Sequence, residues 1–265
     1  MMAADKKEFA QRTALVTGAG SGIGMGAALK LAREGAFVGL LGRTEDELLS
    51  VLREIEARGG HGMVLVADVS VDADMAKAVG ELIEATGRLD IIVANAGING
   101  IWAPIDDMKP AEFDQTIAIN LRGTYLTLHY GVARMKSTGG SIIVVSSING
   151  TRSFTTPGAT AYSATKAAQL AMVQQLSLEL GRHGIRINAV CPGSIKTEID
   201  DNTQMRKRKQ TEVPVVFPDG DIPLTGGKAG TIEDVAEVIA FLASDRARHV
   251  TGTPIWIDGG QSLLR

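Results

Sequence analysis

The chain reads as one doubly wound α/β domain, with about seven mostly parallel strands flanked by helices on both faces. Three observations carry that reading. Short β-branched apolar runs alternate with longer stretches whose apolar residues recur at three and four. Each short run is nearly continuous in apolar residues instead of alternating, as in strands covered on both faces. No Pro-, Ser- or charge-rich linker divides the 265 residues, so 1–265 is taken as a single unit. In such a sandwich, ligands bind outside the carboxyl ends of the strands.

The elements follow in order. TALVTG (13–18) is the first strand, and it leads through TGAGSGIG (17–24) into GAALKLAREG, a crossover helix that stops at glycine. AFVGLLG (36–42) is the second, followed by the helix EDELLSVLREIEARGG. GMVLVAD (62–68) is the third, followed by DMAKAVGELIEATG. LDIIVAN (89–95), SIIVVSS (141–147), IRINAVC (185–191) and TPIWID (253–258) complete the seven. FDQTIAINLRGTYLTLHY and the alanine-rich AYSATKAAQ (161–169) are helical runs between them. The rhythm breaks from Ser194 to Gly230, which is polar, loop-rich and without a clean strand pattern. A stretch of that length inside a compact domain is expected to be a functional lid, here 194–230.

Apolar residues at 45% and charged residues at 22% are the balance of a soluble globular protein able to bury a large core. A net charge of -3 gives no reason to expect nucleic acid or an anionic membrane as partner, which leaves small molecules. The single cysteine, Cys191, excludes an intrachain disulfide framework and fits a reducing compartment. MMAADKKEFAQR lacks the apolar core of a signal peptide and no run of 18 apolar residues occurs, so the expected place is the cytoplasm. His61, His129, His183 and His249 show no metal-ligand spacing, and no catalytic metal is expected. RKRK (206–209) reads as a solvated face or, more sharply, as an attractor for a carboxylate or an acyl thioester on a phosphate-bearing carrier.

In TGAGSGIG, Gly18, Gly22 and Gly24 allow a tight turn, close approach of backbone to a ligand and close helix-on-strand packing. The free N–H groups of the following helix start suit a pyrophosphate. At the end of the second strand, where a carboxylate for the adenosine ribose would favour NAD, the chain has Gly42 and then Arg43. Nothing there repels a 2'-phosphate and Arg43 can pair with one, so NADP(H) is favoured, with NAD(H) as the other coenzyme. In AYSATKAAQ, Tyr162 and Lys166 lie four apart and share a helix face.

TGAGSGIG, NAG (95–97), Asn120, SS (146–147), YSATK (162–166) and PGSIKT (192–197), in that order and over residues 10 to 262, resemble the short-chain dehydrogenase/reductase family, in its compact branch. The resemblance implies a Rossmann-type single domain and an oxidoreductase that interconverts a carbonyl and a secondary alcohol, acting on CH–OH donors with NAD(P). It implies that Gly18, Gly22 and Gly24 cradle the pyrophosphate with Ser21 and Ile23. Asp68 and Val69 would hold the adenine, and Asn95, Ala96 and Gly97 would border the ribose. Pro192, Gly193, Ile195 and Thr197 would shape the nicotinamide pocket, and Lys166 would also bond the ribose hydroxyls beside Tyr162. Asn120, Ser147, Tyr162 and Lys166 would be the catalytic tetrad, with Asn120 holding a water that links Lys166 to solvent.

In SSxxG the second serine, Ser147, matches the family's active hydroxyl. The gap from it to Tyr162 exceeds the commonest spacing, through TRSFTTPGATA. Ser21 stands where NADP-preferring members often carry a basic residue. The chemistry needs a proton donor beside a developing alkoxide, and the expectation is that Lys166 favours the phenolate of Tyr162. A cofactor-binding regulator without turnover is the other class of reading. Within enzymes, a ketoacyl-thioester reductase competes with a polyol, sugar or cyclic alcohol dehydrogenase. The apolar tail TGTPIWIDGGQSLL resembles one that related proteins pack between subunits, and a homotetramer is expected.

Overall fold

The computed structural model describes residues 7–197, 203–214 and 222–264. Nine strands occur among them: β1 (Thr13–Thr17), β2 (Phe37–Gly42), β3 (His61–Val66), β4 (Ile91–Ala94), β5 (Gly100–Trp102), β6 (Gly140–Val145), β7 (Ile185–Pro192), β8 (Thr203–Met205) and β9 (Pro254–Ile257). Seven of them form one sheet in the order β3-β2-β1-β4-β6-β7-β9, every neighbouring pair parallel. Each apolar run read as a strand coincides with one of the seven. The order reverses between β1 and β4, and that switch point opens a crevice at the carboxyl edge.

Helices cover both faces. They are α1 (Gly22–Arg33), α2 (Glu45–Ala57), α3 (Asp72–Thr86), α4 (Pro110–Thr116), α5 (Gly123–Met135), α6 (Thr160–Gly181), α7 (Arg208–Thr211) and α8 (Ile232–Ala243). Side chains alternate across a strand, and β1 shows it. Ala14 and Val16 pack with Leu31 of α1, Val51 of α2 and Ile239 of α8. Leu15 faces the other way, into a core shared with Leu82 of α3, Leu126 of α5 and Val173 of α6. The sheet is thus buried on both sides, which is why its strands are continuously apolar. Among the described residues, no helix is long and apolar enough to cross a membrane.

Two features depart from the sequence reading. β5 and β8 make a separate two-stranded parallel sheet, with Gly100 opposite Thr203 and Trp102 opposite Met205. The stretch from Ser194 to Gly230 therefore does contain a strand; 198–202 and 215–221 of it lie outside the described residues. The run from Phe113 is not one α-helix either. Residues Ile117–Arg122 form a π-helical turn between α4 and α5, and Asn120 sits inside it, fully buried.

Candidate active site

The crevice begins at the glycine-rich turn between β1 and α1. Gly18 and Gly22 take positive φ, +64 and +51. A Cβ on Gly18 would stand 2.9 Å from Asn95 Nδ2, so the turn closes only on glycine. Asn95 locks it from β4: Nδ2 donates to the carbonyls of Thr17 (3.0 Å) and Gly18 (3.2 Å), and the amides of Asn95 and Ala96 donate to Thr17 Oγ1. Ser21 caps α1 without a side-chain hydrogen bond and no acid stands in the first turn, which leaves the amide donors there without an anionic partner from α1. Gly24 does not line the crevice. A Cβ there would lie 2.1 Å from the carbonyl oxygen of Gly18. Its expected place in the pyrophosphate cradle is corrected to packing behind the turn, where α1 crosses the backbone of β1.

The crevice has a volume of about 500 Å³. At its middle lie Gly18, Ser21, Gly22, Ile23, Asn95, Ala96 and Gly97. One end is bordered by Gly42, Arg43, Asp68 and Val69, and also by Glu47, which the sequence reading did not single out. Glu47 lies in the first turn of α2 and its carboxylate approaches Gly20, so only the fold reveals it. Burial pushes the Asp68 carboxyl up, but hydrogen bonds from Ser70 and the charge of Arg43 outweigh it and hold Asp68 below its ordinary value. The nearest Arg43 nitrogen is 3.9 Å from Asp68 Oδ2.

At the other end stand Ser147, Tyr162, Lys166, Pro192, Gly193, Ile195 and Thr197. Gln261, beyond β9, props this end: its Oε1 accepts from Ser194 N at 2.8 Å. The two serines separate clearly. Ser146 donates to the Lys166 carbonyl at 2.8 Å, whereas Ser147 accepts from Asn149 N at 3.1 Å and stands beside Tyr162, whose proton affinity it lowers. The side chains of Ser147 and Tyr162 therefore meet at the mouth of the crevice.

Tyr162 and Lys166 are both buried, 8% and 4% exposed, one turn apart on α6. Burial raises the Tyr162 phenol above its ordinary value, against the neighbouring Ser147, which lowers it. The expected pull of Lys166 on the phenolate is not what governs Tyr162 in the chain itself. The ammonium lies 5.5 Å from the ring centroid and donates to the Val145 carbonyl at 2.8 Å. Burial brings Lys166 down to about 8, so the ammonium is still mostly charged at neutral pH and loses its proton just above it.

Asn120 lies behind this end and does not reach the crevice wall. Its Oδ1 accepts from Ile98 N (2.8 Å), and its Nδ2 donates to the Ile98 carbonyl (2.9 Å) and to Thr165 Oγ1 (3.2 Å). Its own carbonyl accepts from Thr124 Oγ1 (2.7 Å) and Gln169 Nε2 (2.8 Å). The π-turn thus clips the chain after Gly97 onto α6. A nicotinamide dinucleotide fits the residues present: a glycine turn that a Cβ would fill, a helix start without its own anion, and a buried tyrosine–serine pair at the far end.

Comparison with known proteins agrees in extent and kind. The family model described as Enoyl-(Acyl carrier protein) reductase matches residues 18–262. L-rhamnose 1-dehydrogenase (NAD(P)(+)) of Azotobacter vinelandii is 39% identical, over 94% of this chain and 96% of that one. The crystal structure of a 3-ketoacyl-ACP reductase from Sinorhizobium meliloti 1021 superposes with a TM-score of 0.93 at 62% identity, covering 96% of this chain and 100% of that one. A 3-ketoacyl-(acyl-carrier-protein) reductase from Brucella melitensis, solved with NADH, superposes with a TM-score of 0.84 at 30% identity, covering 96% and 99%.

Proposed function

Since this chain belongs to the short-chain dehydrogenase/reductase family of oxidoreductases, we propose that it interconverts a secondary alcohol and a carbonyl, with Tyr162 as acid and base. The observation that carries this is the buried Tyr162, set beside Ser147 and Lys166 at one end of the crevice. A bound nicotinamide dinucleotide supplies or takes up the hydride at the substrate carbon. The chain's own part is the proton. In reduction the Tyr162 hydroxyl donates to the carbonyl oxygen, and its raised proton affinity keeps it loaded at neutral pH. Ser147 holds that oxygen and donates to the charge that builds on it. In oxidation the phenolate is required, so the rate rises with pH. Lys166 holds the strand-end carbonyl of Val145 and offers its remaining hydrogens to ribose hydroxyls. Asn120 sets the height of the Gly97–Ile98 backbone against α6.

Arg43 supports NADP(H) as the preferred coenzyme, but Glu47 and Asp68 at the same end oppose a second phosphate, so a preference below about tenfold is expected. For the substrate we favour a polyol, sugar or cyclic alcohol over a carrier-bound ketoacyl thioester. Arg206 and Lys207, the residues that would greet an acidic carrier, are spent on Asp107 and Glu112, and Arg208 pairs with Glu212. Residues 194–230 are taken as the substrate lid, and the single buried Cys191 fits a cytoplasmic protein. Exposed Tyr125 on α5 and Leu178 on α6 support a homotetramer, which light scattering would test; a monomer at micromolar concentration contradicts it.

The deciding experiment is an NADP+ and NAD+ assay against alcohols, aldoses and an acetoacetyl thioester. Tyr162→Phe should bind coenzyme as before and lose turnover by at least about a hundredfold. Unchanged turnover in that variant defeats the assignment, and binding without turnover on the whole panel would favour a cofactor-binding regulator.

A further inference from the structure

Trp102 closes β5 beside the proton donor: its ring centroid is 6.5 Å from that of Tyr162, tilted by 52°. On its own side of the molecule the next residue is tied down, the Ala103 amide donating to the Gly158 carbonyl at 3.2 Å. Trp102 Nε1 donates to the Asn99 carbonyl (3.0 Å), and the Trp102 backbone carbonyl accepts from Arg206 N (2.8 Å) across the β5–β8 sheet. Asn99 Nδ2 reaches Thr203 Oγ1 on the same sheet at 2.6 Å. A strand of three residues is too short to hold itself. Its partner β8 is anchored by the residue that follows it, Arg206.

Arg206 spreads its guanidinium over two carboxylates. Nε donates to Asp107 Oδ2 (3.0 Å), Nη1 and Nη2 form a fork on the two oxygens of Glu112 (2.6 and 2.8 Å), and Nη2 also reaches the Asp107 carbonyl (2.7 Å). Lys207 adds a bond to Asp107 Oδ1 at 2.5 Å. Glu112 also accepts from Lys109 N at the start of α4, so the fork ends on a fixed helix terminus. Such a planar two-carboxylate fit is specific to arginine. Of the basic run, Arg206 alone is turned inward; Lys207, Arg208 and Lys209 stay exposed.

We infer that Arg206 is a positioning residue for substrate: by clamping β8 to Asp107 and Glu112 it fixes the β5 backbone and makes Trp102 a rigid wall of the alcohol pocket beside Tyr162. The substrate's part in this rests on the alcohol-oxidising reading above; the clamp and the indole do not. Glu112 is held down to about 2, by the Arg206 hydrogen bond first, so the clamp stays charged over the whole range in which an enzyme is assayed. Its effect is accordingly one of placement and not of pH.

The chain has two tryptophans, so Trp256→Phe leaves Trp102 as the sole indole reporter. In that background, Arg206→Met should red-shift the indole emission and raise its quenching by acrylamide. The KM for the best alcohol of the panel should rise about tenfold, with kcat and coenzyme affinity within about twofold. Arg206→Lys should fail to restore either signal, because a point charge cannot make the fork. Glu112→Gln gives the same readouts at reduced size and serves if Arg206→Met does not fold. Emission, quenching and KM all as in the parent would overturn the inference, as would a full rescue by lysine. Should no alcohol be turned over, the indole signals still decide the clamp, and the functional reading fails separately.

Discussion

Lys166→Met should make the protein more stable while it abolishes turnover. Burial takes the Lys166 proton affinity from an ordinary 10.5 to about 8. At roughly 1.4 kcal/mol for each tenfold change in proton affinity, keeping the ammonium charged inside the fold costs about 3 kcal/mol. The native state binds fewer protons than the unfolded one between these values, so wild-type stability rises with pH from about 8 to about 10.5. The full cost is present below that window and gone above it. Methionine keeps most of the stem and removes the charge, at the loss of the hydrogen bond to the Val145 carbonyl, which costs about 1–2 kcal/mol. The balance favours the variant by about 1–2 kcal/mol near pH 7, or roughly 2–6 °C in Tm for a chain of this size. Melts of both proteins at equal protomer concentration, near pH 7 and near pH 10, measure it. A variant less stable than wild type near pH 7, or a difference that does not shrink near pH 10, would refute the reasoning.

Two further outcomes follow from the same crevice. Gly24→Ala gains about 1 kcal/mol of helix propensity and loses more, because its Cβ would stand 2.1 Å from a backbone oxygen that no rotamer change can move; coenzyme titration should show affinity weakened at least about tenfold, and parental affinity with parental Tm would contradict the packing role. Arg43→Ala should raise the KM for NADPH by about tenfold and leave that for NADH nearly unchanged, since a charge-assisted contact to the extra phosphate is what it removes; a clear NADH preference already present in the wild type, and untouched by the substitution, would sink the coenzyme reading.

Most of the sheet was legible because its strands are buried on both faces, so the apolar runs announce themselves without any partner. β5 and β8 were not, and the reason is that GIW and TQM carry no periodicity; their pairing is a long-range one, accompanied by contacts such as Arg206 with Asp107 and Glu112 across about a hundred residues of chain. The spacing of Tyr162 and Lys166 gave their shared face correctly but misjudged their electrostatics, since helical spacing says nothing of burial, and burial is the larger influence on both. Glu47 escaped for a related reason: an acid in the first turn of α2 looks like a helix-start residue until the fold brings Gly20 against it. Gly24 was read from a motif, which fixes the residue type without telling which side of the turn it faces.

The wide turn at Ile117–Arg122 acts as a phase adjuster in an otherwise continuous rod. One surplus residue rotates everything downstream by about 100°. Upstream, α4 presents Glu112 to Arg206; downstream, α5 presents Gly123 to Val69, so closely that a Cβ would come within 2.7 Å of the valine methyl. Deleting a single residue from IAINLR would regularise the helix and throw one of these two engagements out of line. A local irregularity of backbone thereby keeps the opposite extremities of the crevice in register with each other.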